Sequence, residues 1–174
     1  KLIEAVLGGR DVLGVMPTGG GKSMCYQIPA LCLGGTTLVI SPLISLMKDQ
    51  VAALKSAGVP AAYINSSLTG EQIRTVYART RKGAYKLIYV APERLETNSF
   101  LSLMQEMDVS FLAVDEAHCI SQWGQDFRPS YLGIVDFINA LPRRPIVAAY
   151  TATATKQVQS DILRLLQLQS PYRI

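Results

Sequence analysis

The run Met16-Pro17-Thr18-Gly19-Gly20-Gly21-Lys22-Ser23 stands between a short apolar segment, Asp11 to Met16, and a stretch from Lys22 to Leu33 that reads as a helix. A strand, a glycine loop and a helix in that order leave few folds open. Successive glycines let the backbone take positive φ and bring a concave row of N–H groups close to a polyphosphate. Lys22 then offers a point charge for β and γ phosphates, and Ser23 a hydroxyl for a magnesium ion, at a helix start whose dipole also favours anions. The strict spacing of a phosphate-binding loop asks for glycine five positions before Gly21, where this chain has Met16.

A second element has the same logic. Val109 to Val114 is an apolar run that delivers Asp115 and Glu116 at its end, followed by Ala117 and His118. Ligands of open α/β sheets sit at the carboxyl ends of strands. The plainer alternative makes Gly19 to Gly21 a flexible turn, Lys22 a surface lysine, and Asp115 with Glu116 a helix cap. It requires loop, strands and acidic pair to coincide by chance.

At 174 residues the chain is long enough for one well-packed domain and short for two, so one domain over 1–174 is expected. Hydrophobic residues make up 49% and charged residues 17%, a balance that suits strands buried on both faces. No apolar stretch has the length of a membrane span and no secretory leader opens the chain, so the expectation is a cytoplasmic protein, or a nuclear one in a eukaryote, with no membrane partner. Cys25, Cys32 and Cys119 lack the spacing of a zinc site or disulfide scaffold and read as buried or half-buried thiols. A net charge of +4 permits a polyanionic partner without demanding one.

Along the chain, strands are expected at Asp11 to Met16, Thr36 to Ser41, Ala61 to Ile64, Lys86 to Val90, Val109 to Val114 and Ile146 to Tyr150. Helices are expected over Lys1 to Gly9, Lys22 to Leu33, Pro42 to Ala57, Thr69 to Lys82, within Asn98 to Met107, over Tyr131 to Ala140 and over Lys156 to Leu166. Thr69 and Gln72 have capping-box spacing. This alternation implies an α/β fold, a parallel sheet with helices on both faces.

The strand ends then carry Thr18 to Ser23, Ser41 to Leu46, Asn65 to Ser67, Ala91 to Leu95, Asp115 to His118 and Thr151 to Thr155. Small hydroxyls and free N–H groups at helix starts hold phosphate backbones without reading sequence; each loop alone is also an ordinary cap or turn. His118 to Tyr131 places Trp123, Phe127 and Arg128 in one loop, a stacking surface for unpaired bases. The competing reading plugs a core gap with the two rings and pairs Arg128 with Asp126 or Glu116.

These blocks together resemble superfamily 2 helicases, and within them the RecQ family of DNA helicases. Pro17 to Ser23, with Tyr26 to Ala30 after it, resembles that family's motif I. Ser41 to Gln50 resembles motif Ia, Val90 to Leu95 the next block, Asp115 to His118 motif II, and Thr151 to Thr153 motif III. Ser121 to Gly124 with Asp126 to Pro129 resembles the aromatic-rich loop that sets RecQ proteins apart from DEAH-box RNA helicases. The resemblance implies a RecA-like P-loop NTPase domain that binds ATP and Mg2+. It implies that Thr18, Gly19, Gly20, Gly21, Lys22 and Ser23 hold the nucleotide, that Ser23 and Asp115 hold magnesium, and that Lys22, Asp115 and Glu116 carry the chemistry, with Glu116 polarising water. His118, Thr151 and Thr153 would couple it to DNA, single-stranded and partly duplex, contacted by Trp123, Phe127, Arg128, Ser41 and Pro42.

The activity implied is ATP-driven 3′ to 5′ DNA unwinding in repair and recombination. A nucleotide-gated nucleic-acid-binding module without turnover, or an RNA helicase, are the alternatives. Many members have histidine where this chain has Gln125. The chain also begins after the family's adenine-reading glutamine motif and ends before the second RecA-like domain, with its arginine finger, and before any zinc or winged-helix region. The expectation is a first motor domain that, by itself, binds nucleotide weakly, hydrolyses little and unwinds nothing.

Overall fold

The computed structural model describes residues 1–174. Seven parallel strands form one sheet in the order β3-β4-β2-β5-β6-β1-β7. They are β1 Val12–Val15, β2 Thr36–Ile40, β3 Ala61–Ile64, β4 Leu87–Val90, β5 Val109–Val114, β6 Ile146–Thr151 and β7 Tyr172–Arg173. The helices are α1 Leu2–Leu7, α2 Met24–Cys32, α3 Ile44–Ser56, α4 Gly70–Arg81, α5 Asn98–Glu106, α6 Ile134–Ala140 and α7 Lys156–Leu165. No helix is long and apolar enough to cross a membrane.

Strand alternation distributes the core. In β2, Leu38 and Ile40 join one apolar cluster and Val39 the other; in β5, Leu112 and Val114 face opposite to Phe111 and Ala113. The first cluster contains Phe100 and Leu103 of α5, Phe137 of α6 and Ile162 of α7, with Tyr77 of α4. The second contains Val6 of α1, Tyr26 of α2 and Met47 and Val51 of α3. The central strands are thus covered on both faces, which is why they read as continuous apolar runs.

Several helices start later than the sequence pattern suggests. The helix expected from Lys22 starts at Met24, because Lys22 and Ser23 complete the loop. The helix expected from Pro42 starts at Ile44. Thr69 and Gln72 form the reciprocal capping box, with bonds of 3.2 and 2.8 Å. Tyr131 lies in a 3-10 turn, Pro129–Gly133, ahead of α6. The cysteines are free, but Cys32 is exposed, unlike the expectation for it, because it closes α2 on the solvent side.

Sequence reading did not find β7. It is two residues long and pairs with β1 after the chain returns from α7. That return is clamped by Asp11, 3% exposed. Its carboxylate accepts from Arg144 at 2.6 and 3.1 Å, from the Val147 amide at 2.9 Å and from the Gln169 amide at 2.7 Å. Removing the carboxylate leaves the Val147 and Gln169 amides without that acceptor and takes the ion pair from Arg144, which keeps only the Pro145 and Gln167 carbonyls. We expect Asp11→Ala to lower stability by about 3 kcal/mol in urea unfolding; a loss within the error of the wild-type value would reject the clamp.

Candidate functional site

β6 lies between β1 and β5, so the loops that leave those three strands share one edge of the sheet. After β1 the chain enters the glycine loop. Gly19 and Gly21 adopt φ of +81° and +77°, a region in which side-chain-bearing residues are strained, and a Cβ on Gly20 would stand 2.9 Å from the Pro17 carbonyl oxygen. Gly20 donates its amide to that oxygen at 2.9 Å, whereas the amides of Thr18, Gly19, Gly21, Lys22 and Ser23 make no hydrogen bond within the chain. Five unsatisfied donors at the mouth of a helix form a receptor for an oxyanion.

Facing them, β5 ends in Asp115 and Glu116. Lys22 Nζ lies 3.3 Å from Glu116 Oε1 and 3.9 Å from Asp115 Oδ1. These groups line an open cleft of about 410 Å³ with Thr18, Gly19, Gly21, Ser23, Tyr26, Leu46 and Gln50. Asp115 is 4% exposed, and burial pushes its pKa up to about 6, against the opposing pull of Lys22. Glu116 sits at φ 49°, ψ 45°, the left-handed region, a conformation that costs about 1 kcal/mol or more. Its amide donates to Asp115 Oδ1 at 3.0 Å, which helps to hold that turn.

His118 Nδ1 lies 2.8 Å from Thr151 Oγ1 and 3.4 Å from Glu116 Oε2. The Thr151 hydroxyl also reaches the Thr153 carbonyl at 3.2 Å, so one side chain ties His118 to the loop after β6. The Thr151 carbonyl in turn accepts the Met16 amide at 2.9 Å. Glycine loop, acidic pair and the end of β6 are therefore joined by direct hydrogen bonds.

The remaining residues singled out in the sequence distribute unevenly. Trp123 is 74% exposed, so it plugs no core gap, and Phe127 is half-buried. Neither ring pairs with another aromatic side chain. Arg128 pairs with Asp126 through Nε at 3.0 Å and a terminal nitrogen at 2.9 Å, not with Glu116, and its other nitrogen reaches the Pro42 carbonyl at 3.5 Å. The Pro42 loop and the aromatic loop therefore meet. Ser41 is buried, its hydroxyl accepting the Leu43 amide at 3.5 Å, and Thr153 is exposed.

Sequence reasoning missed residues that support the site. Tyr131, fully buried, donates its hydroxyl to the Asp115 carbonyl at 2.8 Å, and Tyr150 donates to the Cys25 carbonyl at 3.1 Å, fixing α2 to β6. Gln27 donates to Gln50 at 2.6 Å and to the Tyr89 hydroxyl at 3.1 Å, joining α2 to α3 beneath the cleft. Asp161 did give a signal: it falls on the apolar stripe of α7, beside Val158 and Ile162.

The carboxylates, hydroxyl and amides of the cleft suit a nucleoside polyphosphate with a hard divalent cation. Ser23 and Asp115 line it with oxygen donors, and the Ser23 hydroxyl has no partner within the chain. Magnesium takes few protein ligands and completes its shell with water and phosphate, which this sparse donor set fits.

The model of the DEAD/DEAH box helicase family matches residues 1–161. An ATP-dependent DNA helicase RecQ of Bacillus subtilis is 56% identical over 155 residues, covering 89% of this chain and 26% of the relative. Its counterpart in Pasteurella multocida is 54% identical over 172 residues, covering 99% and 27%. The chain thus spans about a quarter of the length of these relatives. Among solved structures, the Pyrococcus furiosus Hef helicase domain superposes with a TM-score of 0.74 at 20% identity over 99% of this chain and 37% of that one. The parallel sheet with helices on both faces is thus the RecA-like helicase fold.

The raised pKa of Asp115 has a sign that unfolding can read. Its folded value lies above the 3.8 of the free side chain, so the native state loses stability as pH rises through the interval between them. Asp115→Asn removes that penalty. It is expected to raise stability by about 2 kcal/mol at pH 8, with the gain fading between pH 6 and pH 4. A destabilised variant at pH 8 in urea unfolding would contradict this.

Proposed function

Because the chain belongs to the DEAD/DEAH box helicase family, we propose that residues 1–174 are the first RecA-like motor domain of a RecQ-type DNA helicase that hydrolyses ATP to translocate on and unwind DNA. The observation that carries the reading is the placing of Lys22 within 3.3 Å of Glu116, in the cleft where five amides have no acceptor within the chain. The RecQ names of the two bacterial relatives support the choice of DNA.

The chemistry follows from these groups. A triphosphate seated on the amides competes with Glu116 for Lys22, because a phosphate oxygen offers the ammonium a stronger partner in the same place. Lys22 then moves its charge to the β and γ phosphates, and Glu116 is released to accept a proton from, and orient, a water in line with the γ phosphorus. Ser23 and Asp115 would hold magnesium, which supplies neutralisation of the phosphate oxygens. Glu116, already turned into the left-handed region, needs no backbone rearrangement to present its carboxylate.

Coupling to DNA is assigned to His118, Thr151 and Thr153, which lead from Glu116 to the cleft beside Trp123. Trp123 and Phe127 would stack on unpaired bases of single-stranded or partly duplex DNA, while Arg128 and the Pro42 loop meet its phosphates. The buried Ser41 hydroxyl shapes that loop. Tyr26, Leu46 and Gln50 close one side of the nucleotide cleft, and the second RecA-like domain of the parent protein would close the other; 3′ to 5′ polarity and a role in repair and recombination belong to the same reading.

Two measurements test the proposal. In the protein with both motor domains, single-stranded DNA should stimulate ATP hydrolysis, and Glu116→Gln should cut the stimulated rate by about 100-fold or more while nucleotide still binds. Stimulation by RNA alone, or tight binding without any turnover, would refute it. Lys22→Ala should weaken nucleotide binding by about 10- to 100-fold in a fluorescent-nucleotide titration, and unchanged affinity would remove Lys22 from the site.

A further inference from the structure

A buried polar pair lies apart from the nucleotide cleft. Ser121, fully buried, opens the aromatic loop, and Asp161, 6% exposed, projects from the inward face of α7. Ser121 donates its hydroxyl to Asp161 Oδ2 at 2.7 Å and accepts the Trp123 amide at 3.1 Å. The other oxygen of Asp161 accepts from Arg164 at 3.1 Å and Gln157 at 3.4 Å. The hydrogen bond from Ser121 holds Asp161 below the usual carboxylate range.

A charge at this position is a poor way to pack a helix. Val158 and Ile162 flank it on the buried stripe, and an apolar residue would continue that stripe without desolvating a carboxylate. What the carboxylate adds is a directed bond to one loop. The same helix is N-capped by Thr155, directly after Thr151 and Thr153, and its start walls a small cleft of about 70 Å³ whose other side is His118, Trp123, Gly124 and Gln125. One rigid element therefore touches the end of β6 at its start and the root of the aromatic loop two turns later.

We propose that Asp161 is a positioning residue that, through Ser121, fastens the Trp123 loop to α7, so that loop and β6 end move as one body when single-stranded DNA engages. It rests on the functional reading above for the DNA response, and on the hydrogen bonds alone for the anchoring. Phe127 and Arg128 reach the loop from its far end, where Arg128 donates its amide to the Cys119 carbonyl at 2.8 Å. Loss of Asp161 thus frees the Trp123 end selectively.

Trp123 is the only tryptophan of the chain, so its emission reports the loop directly. In this chain, Asp161→Ala and Ser121→Ala should each shift the emission maximum and raise acrylamide quenching, the double variant should change no more than either single one, and Asp161→Asn, which keeps the acceptor, should restore most of the wild-type signal. In the protein with both motor domains, the same two alanine variants should lower DNA-stimulated hydrolysis by about tenfold and leave the DNA-free rate within about twofold, while Arg164→Ala, which touches only the exposed side of Asp161, should leave both rates unaltered.

Unchanged emission in folded variants would overturn the anchoring. Stimulated and basal rates that fall together would overturn the positioning role in favour of a purely structural one, and Ser121→Ala decides the matter if Asp161→Ala does not fold. A wild-type protein without DNA stimulation would reject the functional reading, and the coupling with it. A stimulated wild type with equally stimulated variants would reject Asp161 alone.

Discussion

β6 is inserted between β1 and β5, and the site depends on that insertion. Thr151, its last residue, accepts the Met16 amide with its carbonyl and is hydrogen-bonded to the His118 ring through its hydroxyl. The glycine loop and the acidic pair are thus held at a spacing set by two strand separations, about 10 Å, a distance that Lys22 and Glu116 span from opposite sides. Had β1 paired directly with β5, the two loops would crowd each other. Strand order decides the geometry before any side chain is placed.

Within that frame the cleft is built against its own stability. Asp115 is buried where its charged form is disfavoured, Glu116 is turned into a region of φ that a residue with a side chain enters at a cost, and amides of the glycine loop lack acceptors. Elsewhere the chain satisfies its buried groups: only the Tyr77 hydroxyl among buried side-chain polar atoms lacks a partner, and Asp11 collects four bonds. Strain and unsatisfied donors concentrate where a polyanion would be received, as expected when local rules are broken for binding.

The edge of the sheet also explains how distant segments come to form one surface. The Pro42 loop follows β2, and β2 lies on the far side of β5 from β6. Arg128 bridges back to it from the aromatic loop. Trp123 is left in solvent while the backbone beneath it is fixed, which gives an exposed ring on a rigid root. An aromatic ring that binds transiently gains from such an arrangement, since little freedom remains to be lost on contact.

Much of this was legible in the chain itself. The apolar runs, the glycine loop, the acidic pair at a strand end and the capping box at Thr69 follow from local chemistry, because backbone conformation and strand burial are written in neighbouring residues. The phosphate-binding role proposed for Lys22 and Ser23 rests on the same local chemistry. β7 was not legible, since two residues have no period and pair only after the chain returns to β1. Nor was the strand order, the distance of Lys22 from Glu116, the choice of Asp126 as the partner of Arg128, or the work of Tyr131 and Asp161, although a carboxylate on the apolar face of α7 was visible as an anomaly. Those depend on residues tens of positions apart being brought within hydrogen-bond range, and periodicity carries no information about which distant neighbour will arrive. Local chemistry settles the longer elements and the groups they carry, whereas which of those groups face one another waits on assembly of the sheet, because only strand order fixes the distances between strand ends.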